Sequence, residues 1–317
     1  MDSEDLEKKI SIFFSKIRFG RFLSDRYLKQ EDALNLETKR FLKYVETGHV
    51  IFIVEKNELC GLIGFRESEW DSKHFGYKVA KIDYFLMNEN YINSKNGALL
   101  LIDSFHLWIN EQNIKVAITK IDSNFFDVSE ALQKNNYIFY ECITYRNLRK
   151  LNLMEPTFDS TKYRFANPED ITQIKSIALS NTFEKSHLFL DNKFETEKVQ
   201  AMYVKWIETA LNPLSKDRVI VIEEDNEIAG TFIYSLPNLP EFPNLKFSKF
   251  EFLAINKKFR KRGLGKKLFE AAILSSINDG VDIIDSTLVD KNIISQNIHE
   301  EYNFKLVNTF YTFHKWF

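Results

Sequence analysis

The chain has 317 residues, long enough for about two domains with full cores, and its 44 % apolar and 28 % charged residues are those of a globular protein. A net charge of −2 excludes a general nucleic-acid binder, which needs an excess of basic surface. Two cysteines, Cys60 and Cys142, exclude a disulfide framework, and with no apolar leader and no 18-residue apolar run the expectation is a cytoplasmic protein with neither nucleic acid nor membrane as partner.

Taken in order, the first clear element is Ile51 to Gly61, a strand, a polar turn around Asn57 and a second strand. Val219 to Gly230 repeats that hairpin, with its glycine 169 residues later. Ala131 to Tyr137 and Ile298 to Phe304 each read as a short helix running into a polar-aromatic pair, 167 residues apart, and Lys95, Asn96 and Gly97 stand with Gly97 166 residues before Gly263. Landmarks that keep both order and offset predict a duplicated domain of about 150 residues. The halves are expected as domains 1–155 and 161–317, meeting in the turn-rich stretch from Lys150 to Thr161. His49, His106, His187 and His314 form no pattern with Cys, Asp or Glu that predicts a metal site.

Phe250 to Ile277 carries the strongest chemical signal. Phe250, Phe252 and Ala254 alternate with Glu251, Leu253 and Ile255, which predicts a strand. Leu264, Leu268, Ala271, Ala272 and Ser275 recur at helical spacing, so a helix is expected to open near Leu264. Between them lie Arg260, Lys261, Arg262, Gly263, Leu264 and Gly265, followed by Lys266 and Lys267. A helix start offers unpaired N–H groups and the positive end of the macrodipole, and glycines let an anion approach the main chain, so this turn suits a phosphate. It is neither a P-loop nor a dinucleotide fingerprint, which would need a third glycine at Leu268. A solvated basic turn whose glycines tighten the chain is the alternative.

The string resembles motif A of the GNAT acyltransferases, an Arg/Gln-x-x-Gly-x-Gly/Ala turn that binds the pyrophosphate of acetyl-CoA. Ile255, Asn256, Lys257, Lys258, Phe259 and Arg260 match the run that precedes it in that superfamily, with Lys257 in place of the usual proline. The resemblance implies an α/β (α+β) chain of tandem GNAT folds, each a mixed, mostly antiparallel sheet flanked by helices. The N-terminal copy is degenerate, because around Gly97 both the arginine and the second glycine are missing. It also implies acetyl-CoA as cofactor, held by Arg260, Lys261, Arg262, Gly263, Leu264, Gly265 and Lys266, with the main chain of Leu253 and Ile255 on the pantetheine arm where their strand splits from its neighbour. In the superfamily's Asn-x-x-Ala-x-x-x-Tyr-x-x-x-Gly-Phe pattern, Asn292, Ser295 and His299 take the places of Asn, Ala and Tyr. His299 is then the candidate proton donor to the thiolate, Tyr302 its alternative three residues on, and an arrangement with no side-chain acid the third option. Glu251, read on the strand face of Leu253 and Ile255, is the candidate base.

Within the superfamily, residues Glu69 to Tyr77 resemble the Trp-Asp-Ser-x-Phe-Phe-Gly segment of the TDP-fucosamine acetyltransferases. Ser186 to Phe189 and Tyr203 to Ile207 resemble further elements of the same branch. That likeness implies a nucleotide-linked amino sugar, TDP-linked by the branch, destined for surface polysaccharide. Its shelf would be Trp70, His74, Phe75 and Tyr77 from the first half with His187, Phe189, Tyr203 and Trp206 from the second, lining a cleft toward the thioester. A homodimer is compatible with it. Another small amine or a protein amine as acceptor, or a CoA-binding regulator without turnover, are the alternatives.

Overall fold

The computed structural model describes residues 3–88, 90–150, 163–180, 184–212 and 214–317. Helices α1 (Ser3–Lys16), α2 (Gly20–Ser24) and α3 (Gln30–Val45) precede a hairpin of β1 (His49–Glu55) and β2 (Glu58–Glu67). There follow α4 (Glu69–Phe75), β3 (Val79–Met87), α5 (Ser94–Gln112), β4 (Val116–Asp122), α6 (Phe126–Lys134) and β5 (Ile138–Arg149). The second run is β6 (Tyr163–Phe165), α7 (Ile171–Leu179), α8 (His187–Leu190), α9 (Thr196–Ala210), β7 (Asp217–Glu224), β8 (Glu227–Ser235) and β9 (Phe247–Ile255). It closes with α10 (Leu264–Asn278), β10 (Ile283–Val289), α11 (Ile293–Glu301) and β11 (Lys305–Trp316). The expected junction between Lys150 and Thr161 falls almost wholly on residues 151–162, outside the described residues.

Two compact units emerge: Met1–Ile143 with Val307–Phe317, and Thr144–Leu306. In the first, β1, β2 and β3 pair antiparallel, β3 and β4 parallel, and β11 antiparallel to β4. In the second, β6, β7, β8 and β9 pair antiparallel in succession, β9 and β10 parallel, and the end of β5 lies beside β10, where the Lys150 N–H donates to the Asp282 carbonyl at 2.9 Å. Each unit is thus a mixed, mostly antiparallel sheet flanked by helices.

The duplication seen in the sequence recurs in the backbone. The β1–β2 turn has Lys56 and Asn57 at φ 48° and 67°, the β7–β8 turn Asp225 and Asn226 at 53° and 62°. Two successive left-handed residues are what a two-residue hairpin turn needs to match strand twist, and Asn and Asp tolerate that conformation best after glycine. The partners of β2 skip Asp83 between Ile82 and Tyr84, and those of β8 skip Glu251 between Phe250 and Phe252. Each unit therefore carries a β-bulge at the same place in the strand that follows its hairpin.

Both faces of the second sheet are covered. Phe250, Leu268, Phe269, Phe304 and Tyr234 form the core under α10 and α11, while Ile174, Ile207, Phe252 and Ala254 pack with Val219 and Val221 under α7 and α9. Phe250 and Phe252 would share a face in an unbroken strand. The bulge at Glu251 sends them to opposite cores, and Leu253 and Ile255 turn toward the α10 side.

Candidate active site

Parallel pairing of β9 with β10 runs from Phe247–Ile283 to Phe250–Ser286 and stops there, although β9 continues to Ile255 and β10 to Val289. The stop coincides with the bulge, which re-aims β9 and leaves its β10-facing edge without a strand partner from Glu251 onward. A gap lined by backbone therefore opens between the two strand ends, at the C-terminal edge of the parallel pair.

At the mouth of the gap, β9 passes through a 3-10 turn, Lys257–Phe259, into the basic turn. Lys261 and Gly263 take left-handed φ of 64° and 76°, and α10 begins at Leu264 with Gly263 as its N-cap and no side chain capping it. The first helical bond runs from Lys267 N–H to the Gly263 carbonyl, so the N–H groups of Leu264, Gly265 and Lys266 have no partner within the helix. A Cβ built on Gly265 would meet only Ile255 Cγ1, at 3.7 Å, so the space above this helix start is open. Unpaired donors, the helix dipole and room for a phosphate meet at one point.

Not all the basic side chains face that point. Arg260 donates to the Ile255 carbonyl at 3.2 Å and to the Ser180 carbonyl at 3.1 Å, bracing the turn against strand and helix. Arg262 lies 3.6 Å from Asp225 and over the Phe259 ring, and Lys266 pairs with Glu301. Lys261 and Lys267 are exposed and have no ion pair among the described residues.

His299 is 3 % exposed. Its Nδ1 donates to the Ser295 carbonyl at 2.7 Å, because a carbonyl can only accept, and Nε2 then accepts from the Ser286 hydroxyl at 2.8 Å. Phe269 and Phe304 stand edge-on to the ring at 4.6 and 4.8 Å, and burial pulls its pKa down to about 4. At neutral pH it is an uncharged core group with both nitrogens engaged within the protein. Tyr302 caps the C-terminal end of α11, with Lys266 over its ring and Glu270 hydrogen-bonded to its hydroxyl; burial, foremost, raises its pKa. Asn292 caps the other end, accepting from Ser295 N–H.

The strict alternation read for β9 fails at Glu251. As the bulge residue it is exposed and turned away from the line of Leu253 and Ile255; Lys249 donates to both its oxygens at 2.8 and 2.9 Å, and Ser235 donates to one at 3.2 Å.

Residues 181–304 match the model of the acetyltransferase (GNAT) family. They form a GNAT acetyltransferase domain. No curated protein sequence matches the chain. Among solved structures, a GCN5-related N-acetyltransferase from Sphaerobacter thermophilus is similar in fold, with TM-score 0.60 at 9 % identity over 88 % of this chain and 85 % of the other. A tandem GNAT protein from the clavulanic acid biosynthesis pathway covers more, 99 % of this chain and 94 % of its own, at TM-score 0.55 and 8 % identity. A GCN5-related N-acetyltransferase from Kribbella flavida gives TM-score 0.53 at 9 % identity, over 89 % and 94 %. Over residues 181–304 the family match supports N-acetyltransferase chemistry, and the solved structures, at 8–9 % identity, show the fold alone.

In α8 and α9, two of the expected aromatic residues come together. Phe189 stacks on Tyr203 with ring centroids 5.9 Å apart, and the Tyr203 hydroxyl donates to Ser186 at 2.9 Å. Trp206 meets Phe252 edge-on at 5.7 Å, one residue past the bulge, and His187 opens the short α8. Phe252 was not among the sequence candidates, and neither was Thr287, whose hydroxyl oxygen, on β10 past its pairing with β9, is buried with no partner among the described residues.

The other four expected acceptor residues belong to the first unit. Trp70 is exposed and stacks on His74 at 5.0 Å in α4, which ends at Gly76 in a left-handed cap. Phe75, expected at the ligand surface, is 1 % exposed and is core; its ring stacks on Tyr77 at 6.0 Å, and Tyr77 in turn meets Trp316. Among the described residues no helix is long and apolar enough to cross a membrane, and no group of three His, Cys, Asp or Glu is placed to hold a metal.

Proposed function

We propose that the chain acetylates the amine of a nucleotide-linked amino sugar, with acetyl-CoA held by the GNAT domain. The observation that carries the reading is the gap between β9 and β10 ending at an uncapped helix start with open space over Gly265. The cofactor supplies an acetyl group activated as a thioester. The helix-start N–H groups of Leu264, Gly265 and Lys266 would take the pyrophosphate, with Lys261 and Lys267 as exposed cations beside it. Leu253 and Ile255 would align the arm through the unpaired edge of β9 and polarise the acyl carbonyl from fixed dipoles. Arg260 and Arg262 hold the turn in shape.

No side-chain acid is needed. His299 is neutral and doubly engaged, and Tyr302 is hydrogen-bonded to Glu270, so the rate advantage rests on positioning, which can supply about 7–11 kcal/mol. Phe189, Tyr203 and Trp206 offer an aromatic shelf for the carrier of the amine. The TDP sugar and the place in polysaccharide synthesis rest on the short strings at Glu69–Tyr77, Ser186–Phe189 and Tyr203–Ile207, and a cytoplasmic setting on the cysteine count.

A second reading, a CoA-binding regulator without turnover, is favoured by the engagement of His299. Coenzyme A release on mixing with TDP- and UDP-linked amino sugars, and with the same sugars stripped of nucleotide, separates the readings. A nucleotide-sugar enzyme loses turnover as well as affinity with the stripped sugar, because remote binding energy orients the amine. Equal kcat/KM for the two promotes the small-amine alternative, and acetyl-CoA binding with no release for any amine favours the regulator.

A further inference from the structure

The first unit repeats the bulge, at Asp83, and the split, since β3 and β4 pair only as far as Ile82–Thr119. Yet its cofactor end is shut. A Cβ on Gly97 would stand 2.8 Å from Met87 Cε and 3.0 Å from Ile53 Cδ1, whereas one on Gly263, 166 residues on, would meet nothing within 4 Å. At the start of α5 the Ser94 hydroxyl donates to the Asp127 carboxylate, and Lys95 is paired with Glu130 at 3.0 Å. A carboxylate at that helix start repels a pyrophosphate.

Behind this closed end lies a cavity of about 370 Å³ at the split, reached by Tyr44 from α3, Arg66 from β2, Asp83 and Tyr84 from β3, Asp122 from β4 and Phe310 from β11. Its charges are balanced: Arg66 and Lys120 against Asp83 and Asp122. Arg66 donates to Asp83 at 2.7 Å, and both side chains keep access to solvent, 42 % and 28 % exposed. The Tyr44 hydroxyl is buried beside Asp83, with no hydrogen bond of ordinary geometry closing on it among the described residues. The remaining walls are aromatic and aliphatic, from Phe19, Phe85, Leu86 and Ile121.

We infer that the first unit binds a small zwitterion, an α-amino acid with an aromatic or branched apolar side chain. Arg66 takes the carboxylate in its two-pronged geometry, Asp83 takes the ammonium group, and the apolar walls take the side chain. Balanced charge disfavours polyanions such as nucleotides and CoA, whose phosphates would face two carboxylates. This site is independent of acetyl transfer, and nothing in its argument needs the second unit.

Calorimetry on the full chain with L-phenylalanine, L-tyrosine, L-leucine, L-glutamate and L-lysine tests it. An apolar member should bind, and Arg66→Ala and Asp83→Asn should each weaken it at least tenfold while acetyl-CoA affinity stays unchanged. For wild-type protein, 3-phenylpropionate, lacking the amine, and phenethylamine, lacking the carboxylate, should each bind at least tenfold more weakly than L-phenylalanine if that is the member bound; for L-leucine the pair is 4-methylpentanoate and 3-methylbutylamine. The analogue arm decides even if a variant fails to fold. Absence of binding by the apolar amino acids, or equal binding of a stripped analogue, overturns the inference.

Discussion

His299 is stabilised uncharged, and that has a pH signature. Its pKa falls from the ordinary 6.5 to about 4 on burial, so between those values the unfolded chain binds a proton that the folded chain does not. Its contribution is intact above pH 6.5 and lost as pH falls toward about 4, a swing of roughly 3 kcal/mol. His299→Phe should flatten that part of the acid limb in denaturant titrations between pH 7 and 4; an unchanged slope would mean the ring is not a buried neutral group. Gly265→Glu tests the cofactor turn at one atom's distance. Its Cβ meets nothing closer than 3.7 Å, so the fold should survive, while bulk and negative charge over the helix start should cut acetyl-CoA affinity by about 100-fold, roughly 2.8 kcal/mol. Calorimetry with circular dichroism on the same sample reads both, and intact affinity would remove this turn from the site.

The element that makes the site is the bulged end of β9, and it is the part the sequence hides. The strand from Phe250, the helix from Leu264, the basic glycine turn and the duplicated hairpins were all legible, because periodicity and turn chemistry are local. A bulge is a mismatch of register between two strands and leaves no period of its own, so the alternation at Phe250, Phe252 and Ala254 read as unbroken and Glu251 was set on the wrong face. His299 was legible in spacing but not in role, since Ser286 and Ser295 reach it only through the fold. Deleting Glu251 should restore plain alternation and let β9 pair with β10 past Phe250. Acetyl-CoA binding should vanish, and amide exchange in Leu253 and Ile255 should slow; retained binding would show that the split does not depend on the bulge.

At the scale of the molecule, the division of the chain is discontinuous: Val307–Phe317 belongs to the first unit, with Phe310 to Trp316 paired against Val116 to Asp122. The sequence reading put that segment with the second half because it is contiguous with it, and contiguity says nothing of which sheet edge a strand fills. Phe313 and His314 are buried there, at 1 % and 0 % exposure. Removing residues 307–317 should therefore strip β4 of a partner and raise amide exchange throughout Val116–Asp122, with aggregation from the bared edge. Unaltered protection in β4 would contradict the pairing.

The same arrangement sets an order of events on the ribosome. Most domains made first also fold first. Here the earlier unit waits with an open strand edge for residues 307–317, which are translated after every residue of Thr144–Leu306. The later unit is complete first, and the nascent chain carries an unfinished sheet with its β4 edge open to wrong pairing until residues 307–317 emerge.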